Sequence, residues 1–474
     1  MRTNTKESSL TIPDKQKAVE QGLRYKFLFS NRSNQPMNLL DRMAHYNVNG
    51  VSIAVINNGE LEWANAYGIS DIETKHLVTK DTLFQAGSIS KSITALGILL
   101  LVQEGKIDLD VDVNQYLKSW HLPDNEFTVT EKVTLRRVLS HSAGLTVSGF
   151  PGYHMSATIP SLTQILDGVN PPANTEPVRV NRIPGTKWSY SGGGTTIAQL
   201  LIEDITGQPF HLWMEKNVLN KLEMSLSTFD NYPNESYLLA SGHNSQGKYI
   251  DGKHHIYPEM AAAGLWSTAT DIAKFVMYIQ NIFSSTDSPF LKQDLIREML
   301  KPQIYAMGKS HSGLGVFLEN LPDETVFEHA GQDHGFIANY RGLIHQKCGF
   351  SIMMNSYENG WYLMEEISNS IADVYGWKNF SPTYKTIFSN DKELYQTFKG
   401  TYKEKENNRE ISILTDGKKL FLKETKEMKK IELHPESNDL FFNQEWGQTI
   451  EFRHENNELI MNDSNNANIP YYKV

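Results

Sequence analysis

The reading of this chain turns on Phe84-Gln85-Ala86-Gly87-Ser88-Ile89-Ser90-Lys91-Ser92-Ile93-Thr94-Ala95-Leu96. A glycine precedes a serine, a lysine follows three positions on, and an apolar run then continues from Ile93 to Val102. That run is too long for an ordinary strand and contains no proline, so it predicts a buried helix. With the helix starting at or near Ser88, Lys91 lies one turn along on the same face. The helix N-terminus adds unpaired N–H groups and the positive end of the helix dipole. A serine hydroxyl is a poor nucleophile until a neighbour takes its proton, and a lysine amine can do so when burial leaves it neutral. The spacing alone carries little weight. Ser245-Gln246-Gly247-Lys248 and Ser389-Asn390-Asp391-Lys392 repeat it, in polar sequence with no apolar helix behind.

The chain has 474 residues, more than a single typical core, so two or more domains are expected. Hydrophobic residues make up 39% and charged residues 21%, an ordinary globular balance. A formal charge of -10 argues against nucleic acid or an anionic membrane as the main partner. No apolar run reaches spanning length. Met1 to Glu20 is polar and has no apolar h-region, so as written the expectation is a cytoplasmic protein, or one whose leader has been removed. The single cysteine, Cys348, reads as a strand residue.

Outward from Ser88, Val51–Ile56 and Glu60–Tyr67 flank Asn57-Asn58-Gly59 and predict a hairpin. Residues 1–35 read as a loosely structured or partly helical lead-in, with a short amphipathic helix over Met37–His45. Helices and long loops follow from about 105 to 310. Val133–Ser140 is a short helix leading into His141, and 146–180 is a long, functional loop. Adjacent residues on a helix do not face each other, so His141 reads as packing beside the site rather than as a partner of its neighbouring serines. Tyr190-Ser191-Gly192-Gly193-Gly194 reads as a tight turn displaying Tyr190 ahead of a helix over Thr195–Ile205 closed by Gly207. Another helix is expected over His211–Leu222, and a further one within Ala261–Gln280 that Asp271 caps or starts.

Strands resume over Gly313–Leu318, Thr325–His329, Gly335–Ile344 and Gly349–Met354, followed by a helix over Tyr362–Tyr375. Strands at both ends with helices between predict one sheet interrupted by a helical insertion. One of these strands is expected to end in His329-Ala330-Gly331, bringing an imidazole and backbone N–H groups to a site's edge. Asp333 and His334 lie nearby, yet no third ligand stands at a diagnostic spacing, so no metal is assigned. Phe380–Leu394 reads as a polar linker. Beyond it, short alternating strands separated by Asp416-Gly417 and Asn456-Asn457 predict a small antiparallel sandwich or barrel.

Ser88-x-x-Lys91, Tyr190-Ser191-Gly192 and His329-Ala330-Gly331, in this order, resemble the serine β-lactamase and penicillin-binding-protein superfamily. The likeness covers about 50–375, and Leu139–Leu145, Pro184-Gly185 and Gly264–Thr268 extend it. The branch it resembles holds class C β-lactamases, D-aminopeptidases, D,D-carboxypeptidases and esterases. The resemblance implies an α+β fold of the β-lactamase type, with an antiparallel sheet, flanking helices and a helical insertion, followed by the small β-domain. The division expected is a lead-in over 1–35, a hydrolase domain over 36–380, a linker over 381–394 and a β-domain over 395–474.

By motif, the resemblance makes Ser88 the acylated nucleophile, Lys91 its proton acceptor and Tyr190 the general acid–base partner. Backbone N–H groups of Ser88 and Gln332 would form the oxyanion hole. His329 would hydrogen-bond the substrate or tune Tyr190, and Gly192, Ala330 and Gly331 would line the substrate. No cofactor or metal is implied. The partner would be a small molecule or short peptide, and an oligomer is possible. Two departures shape the functional expectation. Gly192 stands where class C β-lactamases carry an asparagine amide, and His329 stands where many relatives carry lysine. Both favour an esterase or peptidase that cleaves an ester, an amide or a D-amino-acid peptide through an acyl-enzyme. The alternatives are a penicillin-binding-like protein or β-lactamase acylated by β-lactams, and a structural or assembly protein that retains the fold.

Overall fold

The computed structural model describes residues 10–234, 236–285, 290–377, 380, 382–389, 391–404, 409–423, 430–455, 458–464 and 470–474. The expected turn at Asn456-Asn457 and the first nine residues of the lead-in lie outside the described residues. The chain divides into two compact units, one of Met43–Trp361 and one that combines Met1–Arg42 with Tyr362–Val474.

The unit of Met43–Trp361 is organised on a nine-stranded sheet. In chain order its strands are β1 (Gly50–Asn57), β2 (Glu60–Asp71), β3 (His76–Leu77), β4 (Ile304–Met307), β5 (Ser310–Ser312), β6 (Phe317–Leu321), β7 (Glu324–Asp333), β8 (Phe336–Leu343) and β9 (Cys348–Met354). Across the sheet the order is β3-β2-β1-β9-β8-β7-β6-β5-β4, so strands from the two ends of the unit meet at β1 and β9. Their antiparallel register sets Ile53 opposite Ile352. Every residue of β9, and of β1 up to Ile56, is buried, as continuous apolar runs require of central strands.

Three helices frame the site: α1 (Ile89–Gln103), α2 (Gly192–Thr206) and α3 (Ala269–Ser284). α1 is buried from Ile89 to Leu101: from Ala95 to Leu101 it is apolar or glycine, and its first turns bury Ser90, Lys91, Ser92 and Thr94 with each side chain donating to a carbonyl. Each buried Ile or Leu there contributes about 1.5–3 kcal/mol. α3 lies across β1, β8 and β9. Its N-cap is Thr268, whose Oγ1 accepts from Asp271 N at 3.1 Å, so Asp271 sits in the first turn rather than at the cap.

Two local expectations are corrected. The three glycines at 192–194 are not a turn ahead of a helix; they are the first turn of α2. Ser191 is the N-cap, its Oγ accepting from Gly194 N at 3.0 Å, and that bond starts the helix three residues early. Gly207 closes α2 in the left-handed conformation, as expected. His329-Ala330-Gly331 does not end its strand either. Pairing with β8 continues to Asp333 opposite Phe336, and the chain turns at His334-Gly335.

In the other unit, Gly400–Lys473 forms a closed eight-stranded barrel, the second of the two architectures expected for this stretch. Inward residues alternate along its strands, and Tyr402, Ile411, Leu422, Phe441, Phe452 and Tyr471 fill the interior. Phe398 stacks on Phe452 with ring centroids 4.2 Å apart. The lead-in forms a helix over Ile12–Gln21 and a short strand, Phe27–Phe29. That strand pairs in parallel with Thr383–Lys385, inside the stretch expected to be a linker. Among the described residues no helix is long and apolar enough to cross a membrane.

Candidate active site

Ser88 occupies the N-cap position of α1, but its hydroxyl makes no capping bond. The neighbouring Ser90 does the local work instead. Its Oγ donates to Gly87 O at 2.6 Å and accepts from Leu265 N at 3.0 Å. The Ser88 hydroxyl is thereby left for Lys91, whose Nζ donates to Ser88 Oγ at 3.0 Å and to Ala262 O at 2.7 Å. The lysine is 3% exposed, so its amine is held between these two oxygens rather than solvated. Nothing in the spacing of residues 88–91 pointed to Ala262. It lies just upstream of the Gly264–Thr268 signature, which was the available signal.

Two glycines set the distance between α1 and β7. Gly87 has φ +52°, and a Cβ on it would stand 2.5 Å from Gln332 N. A Cβ on Gly331 would stand 1.9 Å from Ala86 O and 3.2 Å from Ser88 N. Only residues without a side chain allow this approach, which brings the amides of Ser88 and Gln332 to one place. The side chain of Gln332 is steadied by Trp361, whose Nε1 donates to Gln332 Oε1 at 3.0 Å.

His329 and Asp333 alternate with exposed Ala330 and Gln332 along β7, so they flank Gly331 on the buried face. His329 Nδ1 donates to Ala330 O at 2.7 Å, and this bond assigns the tautomer. Its Nε2 is therefore an acceptor, buried and without a hydrogen-bond partner among the described residues. Burial, reinforced by the nearby Lys91 charge, pulls the His329 pKa down to about 3, so the ring is neutral at pH 7.

Tyr190 is half-buried among rings. His141 lies 4.2 Å from its centroid, Phe317 is stacked at 6.3 Å and His329 is at 6.2 Å. Lys91 Nζ lies 5.1 Å from the same centroid. His141 is fully buried, and its Nδ1 accepts from Ser191 N at 3.2 Å. It fixes Tyr190 from behind, in keeping with its reading as a packing residue.

The structure thus gathers Ser88, Lys91, Tyr190, His329, Gly331 and Gln332. Gly192 is placed differently. Its N–H donates to Ser148 O at 3.1 Å, and a Cβ there would meet the Phe150 ring at 2.9 Å. Phe317, on the far strand β6, carried no motif. Two buried carboxyls adjoin this group: Asp333, weighed from sequence only as a metal ligand, which feels the Lys91 charge, and Glu259, which no motif marked and which adjoins Asp333. Glu259 and Asp333 are both buried with no hydrogen-bond partner for either oxygen among the described residues. Burial pushes Glu259 up to about 8 and Asp333 well above the usual carboxylate range, even against the pull of Lys91. Burial is the larger effect at both: the Lys91 charge and the Gly87 N–H pull Asp333 down, and the backbone N–H of Glu259 pulls its own carboxyl down, but by less than desolvation raises them.

Known proteins agree with this architecture. Protein flp of Staphylococcus aureus (strain N315) is 21% identical over 354 residues, covering 73% of this chain and 67% of that protein. A Beta-lactamase of Pseudomonas fluorescens is 27% identical over 239 residues, 50% of this chain and 61% of its own length. The chain thus spans about two thirds of the length of these relatives. Among solved structures, the octameric penicillin-binding protein homologue from Pyrococcus abyssi superposes with a TM-score of 0.62 at 20% identity, covering 92% of this chain and 98% of that one. The D-amino acid amidase from Ochrobactrum anthropi SV3 does so with a TM-score of 0.58 at 22% identity, over 77% of this chain and 99% of its own. At these identities the structural likeness bears on the fold alone. The family itself follows from a model described as Beta-lactamase that matches residues 38–366, and the chain belongs to the Beta-lactamase family.

Proposed function

We propose that this protein is a serine hydrolase that forms an acyl-enzyme on Ser88 and cleaves an ester, an amide or a D-amino-acid peptide bond. The carrying observation is the 3.0 Å contact from Lys91 Nζ to Ser88 Oγ, made by a buried lysine whose other hydrogen bond is to Ala262 O. In the forward step the Ser88 proton passes to whichever of Lys91 and Tyr190 is deprotonated in the reactive state, as Oγ bonds to the substrate carbonyl carbon. The Ser88 and Gln332 amides stabilise the oxyanion, each donor worth about 10²–10³ in rate. Tyr190 then protonates the leaving group, and water releases the acyl chain by the reverse proton path. General acid–base work by the pair contributes roughly 10²–10⁴. His329, neutral with a free Nε2, accepts a hydrogen bond from the substrate or from the Tyr190 hydroxyl. It brings no positive charge, so it recruits a substrate carboxylate less than a lysine would. The octameric Pyrococcus homologue supports an oligomer as the working form.

The test is hydrolysis of nitrophenyl esters, D-amino-acid amides and β-lactams by the wild type and by Ser88→Ala. Ser88→Ala is expected to abolish turnover while leaving the circular dichroism unchanged. Wild-type turnover by the mutant would sink the mechanism. A lasting Ser88 adduct with a β-lactam, seen by mass spectrometry, would replace the hydrolase reading with that of a slowly deacylating penicillin-binding protein.

A further inference from the structure

The unit built from the two ends of the chain holds a cavity of about 510 Å³ at one rim of the barrel. Its wall joins the turn before the strand Leu420–Lys423, the end of the strand Ile431–Pro435, and the segments around Asn31 and Ile387–Tyr395. These pieces are pinned together. Asn31 Nδ2 donates to Ile387 O at 3.0 Å, Ile387 N donates to Asn31 Oδ1 at 3.2 Å, and Phe388 N donates to Pro435 O at 2.8 Å. The cavity is therefore built into the fold, and its volume falls within the range of small-molecule sites, about 300–1,000 Å³.

The lining is strongly basic in an otherwise acidic chain. Arg32, Lys392, Lys418 and Lys419 face one carboxylate, that of Glu432, leaving three positive charges in excess. Glu432 is already occupied, accepting from Lys419 Nζ at 2.6 Å. Arg32, Lys392 and Lys418 make no ion pair among the described residues. Asp416, next in sequence, is turned into its own loop, accepting from Lys418 N at 2.9 Å and Lys419 N at 2.8 Å. His434 adds no charge, because burial holds it below its ordinary pKa, with Arg32 and Lys419 adding to that effect against Glu432. The apolar part of the wall is Phe388, Tyr395, Leu433 and Pro435, with Phe388 43% exposed at the lip. Lys392 is the lysine of the Ser389-x-x-Lys392 match that sequence context had set aside as noise.

We propose that this cavity binds a small organic anion carrying two or more negative charges on an aliphatic or aromatic body. Three cations that line one concave wall and make no ion pair among the described residues favour a multiply charged group, and Arg32, whose guanidinium lies 6.0 Å from the Phe29 ring centroid, offers a fork that matches a carboxylate or a phosphate. The exposed ring of Phe388 disfavours a bare inorganic ion as the best ligand, since such an ion would leave that ring uncovered.

The test titrates the full-length protein with 1-naphthyl phosphate and with naphthalene-1,4-dicarboxylate, following naphthalene fluorescence. 1-Naphthol supplies the body without charge, and inorganic phosphate the charge without a body. Saturable binding of either charged probe, at one site per chain, is expected, and the tighter of the two assigns the anionic group. Arg32→Gln/Lys392→Gln/Lys418→Gln should weaken that binding at least about tenfold, and 0.5 M NaCl should weaken it too. Nitrophenyl ester hydrolysis by the triple variant should stay at the wild-type rate. If the triple variant does not fold, Lys418→Gln on its exposed turn carries the same comparison, with Lys418→Arg expected to restore binding. The inference is overturned if neither charged probe saturates, if 1-naphthol or inorganic phosphate binds as tightly, or if charge removal leaves affinity unchanged.

Discussion

Replacing Glu259 by Gln removes one ionisable proton from a fully buried site while keeping its size and shape. Glu259 has no hydrogen bond to either carboxyl oxygen among the described residues, and Tyr153, Tyr257 and Asp333 share its electrostatic surroundings. Burial raises its pKa from 4.5 to about 8. A carboxyl raised in this way favours the folded state only while protonated. Its contribution is complete below about pH 4.5 and is lost as the pH rises through about 8. At pH 5 the unfolded chain has already released most of this proton and the folded chain holds it; at pH 8 the unfolded chain has released it fully and the folded chain by half. The wild type should therefore lose about 3 kcal/mol relative to Glu259→Gln over that interval. Groups remote from Glu259 are common to both proteins and cancel; Asp333 and Tyr257 feel its charge, but while Glu259 is protonated it is as neutral as the glutamine. Urea unfolding followed by tryptophan fluorescence at pH 5, 6, 7 and 8 measures the gap directly. The variant should gain on the wild type at each step. A gap that is the same at pH 5 and pH 8 refutes the reasoning, because Glu259 would then titrate alike in both states.

Two further substitutions probe other parts of the chain. Gly331→Ala sets a methyl 1.9 Å from Ala86 O. It should displace β7 and cost at least about 10² in kcat/KM for a nitrophenyl ester through loss of the Gln332 amide; an unchanged rate would remove Gln332 from the oxyanion hole. Arg42 binds Glu366 with both ends of its fork, Nε to Oε2 at 2.9 Å and Nη2 to Oε1 at 2.6 Å, with Glu366 1% exposed. Arg42→Met should destabilise by about 3–5 kcal/mol in urea unfolding, and adding Glu366→Leu should recover most of it. A double variant no more stable than the single one would show that the cost lies elsewhere.

The parts of this fold that were legible in sequence are those whose cause is local. The apolar run after Ser88 makes α1, the Asn-Asn-Gly turn makes the first hairpin, and alternating short segments make the barrel. The site's hydroxyl and amine were legible for the same reason, since one helical turn joins them. What escaped depends on partners distant in sequence. Three glycines read as a turn because nothing nearby shows that Ser191 will cap them. His-Ala-Gly read as a strand end because only the pairing with β8 carries the strand to Asp333. Ala262 and Phe317 reach the site through the fold, Ala262 with only the neighbouring Gly264–Thr268 signature to mark it and Phe317 with no motif, and Glu259 comes to lie by Asp333 with no pattern of its own. A lone glutamate before Met260-Ala261-Ala262-Ala263 looks like a helix start until its burial is known.

The parallel pairing of Phe27–Phe29 with Thr383–Lys385 has a consequence for how the chain is made. Phe27 also rests its edge on Phe442, with ring centroids 6.0 Å apart, and Ser370 Oγ donates to Val19 O at 3.0 Å. Every one of these partners is translated after residue 361. At about 5–20 residues per second, the early segment waits roughly 20–70 s on the ribosome for its complement to be made. Over that time Val19, Leu23, Phe27 and Leu28, buried in the finished unit, are available to chaperone holdases. A chain truncated near residue 361 would carry every strand of the nine-stranded sheet with an adhesive tail, and chaperones would recognise it through those four side chains.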